Sequence, residues 1–453
     1  MTVQPRVRMV FDADSCTRCG ECFHKCPELR LPLEIAKDEI ERLIHGKESK
    51  HVLAHCTTCF SCNLLCPHDC KPYQLILERW NDRYRSRGAP PINRLVCPSL
   101  NNNVWHLLTV FLTPKEASWT QRWMSQTPKD TILLVGNYIH LLPFVVGDSR
   151  LLDRFTPVDL LDHWECGAYL YQLGFLDVAK RVAEKCRQDF AGWDIKTVVP
   201  LLDAVHWMLT DVHPNEMKVE HGIEVVNFNE WLLEHLQSRE IELAKPVALT
   251  VTVHDNCYSK AGDGQYWDTP REILKQVGCE ITEMRHVRRD SLCCGFGAGA
   301  SGESSVRTVF DMLDVASRKL REAEETGADA LVSYCGGCMY LLWVARELFD
   351  HKMDLYHMVE IVRIAMGERL EYPELHVKRA WDIIAIMTYQ LVRSLGMKFF
   401  WIREVSIADE GWKQSRFTLL RFMRMLLDVA PVRSIYKRML RTMLPAMKSK
   451  RTF

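Results

Sequence analysis

Two cysteine runs near the start constrain this chain more than any other feature: Cys16, Cys19, Cys22 and Cys26-Pro27, then Cys56, Cys59, Cys62 and Cys66-Pro67. A C-x2-C-x2-C-x3-C-P run is how a backbone wraps a cubane iron-sulfur cluster. Where two runs occur, the fourth cysteine of each crosses to the other run's cluster. The spacing therefore predicts Cys16, Cys19, Cys22 and Cys66 as ligands of one cubane [4Fe-4S] cluster, and Cys56, Cys59, Cys62 and Cys26 as ligands of a second. A chain tied to metal in this way handles electrons.

The segments around the runs read as helices. Leu33–Ile44 carries apolar Ile35, Ile40, Leu43 and Ile44 and should stop near Gly46, and residues 72–85 place Tyr73, Ile76, Leu77 and Trp80 at helical spacing. Residues 1–95 are thus expected to form a helical two-cluster domain, followed at 88–103 by a Pro- and Asn-rich linker or covering loop. Beyond it, 130–136, 247–254 and 330–334 read as short buried strands, with helical patterns at 170–186, 228–243, 270–277 and 304–325. Strands alternating with helices imply α/β layers with mainly parallel sheets. The strand at Val247 begins a second, similar lobe, so lobes are expected at 96–245 and 246–372 in an α+β chain.

From residue 373 the composition turns helical and basic. Between Val432 and the end stand Arg433, Lys437, Arg438, Arg441, Lys448, Lys450 and Arg451 with no acid, interleaved with Met439-Leu440 and Met443-Leu444. Such a segment, 373–453, can lie against an anionic membrane face or dock on a membrane partner; equally, it can be a surface helix whose lysines face water. No run reaches the length of a membrane span, the apolar stretches at 105–112 and 383–387 being short, so the chain is not expected to cross a bilayer. At 453 residues it should hold two or three folded units. Residues 1–15 lack the pattern of a secretory signal, and the cysteines cluster as metal ligands, which together predict a reducing, cytoplasmic setting. A formal net charge of +0 supplies no attraction to nucleic acid, and no zinc-finger or RNA-binding signature supplies one locally, so nucleic acid is not an expected partner.

Five further cysteines form a sparser pattern: Cys257, the adjacent Cys293 and Cys294, then Cys335 and Cys338. Cys257 follows one predicted strand and Cys335 another, so both should emerge at the carboxyl edge of a parallel sheet, where open α/β folds place their sites. The run from Gly295 through Gly297 to Gly302 has almost no side-chain bulk, and Gly336 and Gly337 make a tight clip. Backbone of this kind can wrap closely and present N–H groups to sulfur. Zinc and a redox dithiol are the alternatives for such thiolates. However, adjacent cysteines chelate a single metal poorly, whereas a multi-iron cluster offers each its own iron.

With these residues in place, the sequence resembles the heterodisulfide reductase family of iron-sulfur oxidoreductases, across roughly residues 10–370. The resemblance is strongest to its membrane-associated catalytic subunit, which fuses a two-cluster ferredoxin module to cysteine-rich CCG domains. It rests on both cysteine runs, His254-Asp255-Asn256-Cys257, Cys293-Cys294-Gly295-Phe296-Gly297-Ala298-Gly299 and Cys335-Gly336-Gly337-Cys338. The resemblance implies that Cys257, Cys293, Cys294, Cys335 and Cys338 hold a third, noncubane [4Fe-4S] cluster at which a disulfide is split. It implies a hetero-oligomeric complex with a membrane cytochrome b or quinone-reactive subunit, on the inner face of the cell membrane. The substrate would be a low-molecular-weight disulfide, or the disulfide or trisulfide of a small sulfur-carrier protein, as in the related sulfite-reduction-linked respiratory complex.

The departures from that pattern are specific. The first lobe keeps only Cys166-Gly167, with Glu165 where the adjacent cysteine would stand, and it has no cysteine around Val205-His206, so one catalytic cluster is expected rather than two. The HDPC of the family is HDNC here. His254 is a candidate ligand or proton donor, or shapes the loop. Lys260 either attracts a carboxylate-bearing substrate or solvates the rim. Cys186 and Cys279 read as small buried hydrophobes; Cys70, Cys97 and Cys166 have no assigned role. No Gly-x-Gly-x-x-Gly follows the first strand, so no flavin or nicotinamide site is expected in this chain. The competing function is an electron relay between a dehydrogenase or electron-transferring flavoprotein and quinone, without disulfide chemistry.

Overall fold

The computed structural model describes residues 10–159, 164–262, 264–298, 304–370, 374–401, 403, 405–407 and 416–448. Gly299 to Gly302, Lys450 and Arg451, all singled out above, lie outside the described residues. The fold is mixed α+β, with a helical first part, two small parallel sheets and further helices at the carboxyl end.

The helix Leu33–Ile44 forms where its periodicity places it, burying Ala36, Ile40 and Leu43. Its Glu39 is fully buried and accepts hydrogen bonds from the Ser49 hydroxyl and the amides of Lys50, His51 and Val52. One carboxylate thereby satisfies the orphan donors at the start of helix Val52–His55 and fixes where the second cysteine run begins. Gly20 lies beneath the same helix at φ +76°, where a Cβ would come within 2.7 Å of the Lys37 nitrogen. Only glycine lets the first run pass so close.

Eight strands make two sheets. β1 (Lys129–Leu134), β2 (Thr156–Val158), β3 (Asp194–Pro200) and β4 (Glu224–Val225) lie in the order β2-β1-β3-β4. β5 (Thr250–His254), β6 (Glu280–Ile281), β7 (Ala330–Ser333) and β8 (Asp354–His357) repeat that order as β6-β5-β7-β8. All pairings are parallel. Parallel strands require crossovers, and helices such as Leu176–Gly192 and Ser305–Glu324 supply them.

Several boundaries differ from expectation. The helix expected at 170–186 is two, Ala168–Gln172 and Leu176–Gly192, because Gly174 turns the chain at φ +79° against Trp80. The helix at 228–243 stops at Gln237, just before Arg239 at φ +62°. β5 starts at Thr250 rather than Val247 because its register with β6 begins at Thr250 and that with β7 at Val251.

Residues from 374 on divide into two kinds of surface. Helix Glu374–Ser394 is core, burying Trp381, Ile383, Ile384 and Ile386. Its Arg379 is 1% exposed and pairs with Glu116 of helix Pro114–Ser125 and with Asp382, which also binds Arg424. The next helices, Thr418–Asp428 and Ala430–Met447, direct several basic groups inward. Lys437 and Arg441 pair with Asp350, Lys448 with Asp314, and Arg433 stacks on Trp381. They leave Leu419, Phe422, Met425, Leu426, Ile435 and Met439 exposed.

The helical first part docks directly on the second sheet's loops. Gly297 lies so close to Thr58 that a Cβ would run into the threonine hydroxyl, and Cys59 packs with Cys293, Ala298 and Val315. Gly297→Ala should therefore cost about 1–3 kcal/mol through overpacking. Thr58 already sits at φ +59°, so adding Thr58→Gly should recover most of that loss in anaerobic denaturant unfolding. Arg379→Ala should lower the unfolding free energy by about 3–5 kcal/mol, because it leaves buried Glu116 without its cation; denaturant titration reads the change.

Candidate functional site

The structure brings the first eight cysteines into two groups. Burial, then the sulfurs of Cys66, Cys16 and Cys19, push the Cys22 thiol up, and burial followed by Cys56, Cys22, Cys26 and Cys59 does the same to Cys62. Cys66 lies near Cys16, and Cys26 near Cys59. Amides point at the sulfurs: Leu29 N donates to Cys26 Sγ at 3.4 Å, Thr58 N to Cys56 Sγ at 3.4 Å and Cys70 N to Cys66 Sγ at 3.4 Å. Cys70 itself is buried beside Cys66 and Cys16, its thiol pushed up to about 12 by burial and then by Cys66.

The other five cysteines meet at the carboxyl end of the second sheet. β5 delivers His254 and Cys257, and β7 delivers Cys335, which caps helix Gly336–Phe349 and places Cys338 one turn in. Asn256 caps the helix Cys257–Ala261 through Ser259 N at 2.9 Å. Asp255 is fixed by a two-pronged pair with Arg271 at 2.7 and 3.0 Å. Burial works to raise this carboxyl, yet Arg271 holds it below the ordinary carboxylate range.

Cys294 sits at the centre of the group. Hydrogen bonding from Cys293 and then Cys338 holds its sulfur well below the usual thiol range, while those two neighbours are pushed up. His254 Nδ1 or Nε2, Cys294 Sγ and Cys338 Sγ all lie within 4.8 Å of one another. His254 adds to the lowering of the Cys294 thiol, after Cys293 and Cys338. Gly295 turns at φ +88° against helix Ser305–Glu324 and sends its amide to Cys293 Sγ at 3.3 Å. Gly336 leaves room for Tyr138, whose Cβ would stand 3.1 Å from a side chain there.

A cavity opens over these sulfurs. Its far wall comes from the first sheet: Asn137 and Tyr138 follow β1, Leu202, Asp203 and Ala204 follow β3, and Glu165, Ala168, Tyr169 and Gln172 follow β2. The carboxyl ends of the two sheets therefore face each other across it. Gln172 spans the gap, donating to the Thr58 carbonyl at 2.9 Å and to Cys257 Sγ at 3.1 Å. Asp203 is pushed up to about 7 by burial and accepts from Asn227 at 3.2 Å, Asn229 at 3.0 Å and Asn256 at 3.4 Å. An adjoining apolar cavity shares Tyr138 and Phe296 with the first.

Lys260 does not stand at the rim. It is 2% exposed and donates to the Ser61 hydroxyl at 2.7 Å and the Ser291 carbonyl at 2.5 Å, tying its helix to Ser61–Leu65. The short helix packs against the first part of the chain, so its side chain crosses that boundary instead of meeting solvent. Gly297 and Gly337 line the cavity; Gly295 and Gly336 shape the backbone behind it. Cys97, Cys166, Cys186 and Cys279 are buried and do not line the cavity, Cys186 donating to the Glu165 carbonyl at 3.0 Å. The reading from sequence missed Tyr138, Gln172 and Asp203, whose only signal was position just beyond an apolar run or before a glycine.

The donor sets fit iron-sulfur cofactors. All eighteen cysteines are free of disulfides, and Cys22, Cys62 and Cys257 are thiols that burial and then neighbouring sulfur make costly to ionise. A bound cation reverses that cost.

Comparisons with known proteins agree with this chemistry. The pattern of the cysteine-rich domain CCG matches residues 251–342, and that of a 4Fe-4S dicluster domain matches residues 8–67. One subunit of the dihydromethanophenazine:CoB–CoM heterodisulfide reductase from Methanosarcina mazei is 24% identical over 416 residues, 79% of this chain and 95% of its own. One subunit of the CoM/CoB fumarate reductase of Methanothermobacter marburgensis is 24% identical over 352 residues, 71% of this chain and 66% of its own. The EtfAB:quinone oxidoreductase of Syntrophomonas wolfei is 20% identical over 364 residues, 64% and 48% of the two chains. The chain is a CCG-domain iron-sulfur oxidoreductase, related at low to moderate identity to that heterodisulfide reductase.

Proposed function

We propose that this chain exchanges electrons between a membrane partner, a cytochrome b or quinone-reactive subunit, and a disulfide or trisulfide bound in the cavity over Cys257, Cys293, Cys294, Cys335 and Cys338. The substrate is a low-molecular-weight disulfide or one on a small sulfur-carrier protein. The observation that carries this reading is the direct packing of Cys59 on Cys293, which joins the early cysteine groups to the sulfurs facing the cavity. In this reading Cys16, Cys19, Cys22 and Cys66 hold one cubane, Cys56, Cys59, Cys62 and Cys26 the second, and the five later cysteines a noncubane [4Fe-4S] cluster. Bound there, the iron-sulfur group supplies single electrons to sulfur.

The chain's own side chains do the rest. Gln172 orients Cys257, and the amide of Gly295 orients Cys293. Tyr138 and Phe296, with ring centroids 5.1 Å apart, keep water from the reacting sulfur. We assign the parts as a two-cluster domain at 1–95, a CCG-type lobe without its own cluster at 96–245, the cluster-bearing lobe at 246–372, and a docking segment at 373–453. Among the described residues no helix is long and apolar enough to cross a membrane. The exposed row Leu419, Phe422, Met425 and Leu426 suits a peripheral seat on the membrane partner at the cytoplasmic face.

The second reading is a relay to quinone without sulfur chemistry, favoured by the similarity to an EtfAB:quinone oxidoreductase. Stepwise reduction of the anaerobically purified chain, followed by ethanethiol, separates the two. A paramagnetic signal that requires the thiol is expected by electron paramagnetic resonance; normal quinone reduction with no such signal would decide for the relay. Cys294→Ser should abolish the thiol-dependent signal and lower the iron content by about a third, leaving the cubane signals in place.

A further inference from the structure

Across the cavity from the five cysteines stands a carboxyl group that the functional reading has not used. Glu165 occupies the place in the first sheet's connection that Cys293 occupies in the second. Each begins a short turn after an outer strand, β2 or β6, and is followed by a cysteine and then a left-handed glycine, Gly167 at φ +77° and Gly295 at φ +88°. Both glycines pack against the helix that follows, Gly167 on Ala179 and Val182, Gly295 on Met312 and Ala316. The turn that equivalent sulfur ligands would share thus persists in the first half with an acid in place of a thiol.

That acid is not explained by packing. Glu165 is 2% exposed and holds φ at +52°, a conformation costly for a residue with a Cβ. Its Oε1 has no hydrogen-bond partner, although the side chain lines the cavity together with Cys257, Cys293, Cys294, Cys335 and Cys338. A buried carboxyl oxygen left orphaned is expensive unless something arrives to use it. Burial and then the nearby Asp159 push Glu165 well above the ordinary carboxylate range, outweighing the opposite pull of the Asn137 backbone. Tyr138, Tyr169, Cys166 and Cys186 also face it, and Asp203 stands on the same wall. Asp203 differs in being held by three asparagine side chains, which leaves Glu165 as the acid poised for transfer.

From this geometry we infer that Glu165 is the proton donor to the sulfur released when a disulfide is split in the cavity. The inference rests on the disulfide reading above. In the step, the S–S bond takes up two electrons, supplied one at a time by an external one-electron reductant through the iron-sulfur centres. It breaks into two sulfurs, one of which receives the Glu165 proton as the O–H bond breaks and an S–H bond forms. The second sulfur takes a proton from water, and the carboxylate is reprotonated from solvent. The sum is one disulfide, two electrons and two protons giving two thiols.

The test uses the full chain with its clusters, diethyl disulfide as substrate and reduced methyl viologen as electron donor. Glu165→Gln should slow thiol release by about a hundredfold or more while the paramagnetic signals of the reduced clusters stay unchanged. Infrared difference spectra of the wild type should show a protonated carboxyl band at neutral pH that bleaches when disulfide meets the reduced protein and is missing from the variant. A variant as fast as wild type, or a wild type without the band, overturns the proton-donor role and leaves the disulfide reading standing. A wild type that releases no thiol overturns the disulfide reading and this role with it. Should Glu165→Gln fail to fold, the same band followed in wild type carrying 13C-glutamate decides, its bleaching supporting the role and its absence ending it.

Discussion

Sulfur atoms drawn out of water and packed beside one another set the terms for everything else in this structure. A buried thiol can raise the cost of ionising its neighbour, as Cys66, Cys16 and Cys19 do to Cys22 and as Cys335 and Cys294 do to Cys257, in both cases after burial itself. Such groups persist only where a cation compensates and where the surrounding backbone is thin enough to admit them. Hence the glycines: Gly20 under its helix, Gly295 against the next one and Gly336 beneath Tyr138 are all places where a side chain would collide. Hence too the amides of Leu29, Thr58, Cys70 and Gly295 turned toward sulfur.

The same requirement explains why two sheets of identical strand order face one another. A single carboxyl edge can present cysteines from β5 and β7, but it cannot enclose them. The first sheet provides the lid with its own carboxyl edge, where Tyr138, Glu165, Gln172 and Asp203 take the positions nearest the sulfurs. The helical first part closes the third side through Thr58 and Cys59. Polar groups carry these junctions. Gln172 reaches both Thr58 and Cys257, Lys260 reaches Ser61, and Glu28 receives both Cys293 N and Arg318. Each is buried and satisfied across a boundary, which fixes one arrangement of the parts in a way that apolar contact alone does not.

Much of this was legible beforehand. The helix Leu33–Ile44, the strands at Ala330–Ser333 and Thr250–His254, and the long helix Ser305–Glu324 follow from apolar period and local punctuation. β3 escaped notice because the exposed half of Asp194–Pro200 is polar and only its last three residues are fully buried. β8 was hidden for a related reason, as four residues are too few to carry a period. The basic carboxyl segment looked like a uniform appendage. In the fold its first helix is core, and several later cations are spent on Asp350 and Asp314.

By itself the sequence determined that the chain carries cysteine runs with iron-sulfur spacing, because metal-ligand spacing is a local property. It also determined that Cys257 and Cys335 would emerge at one sheet edge, since both follow strands and strand direction is read from the pattern. Only the tertiary structure decided what stands opposite them. Glu165 lies nearly a hundred residues before Cys257 in the chain, and its burial, its unpartnered oxygen and its place on the facing wall depend on how two sheets meet. Lys260 teaches the same lesson in reverse, a cation that local sequence puts at a rim and packing puts inside. Local chemistry selects which groups can act, whereas the desolvation that gives them their character arises only when distant parts of the chain close over them.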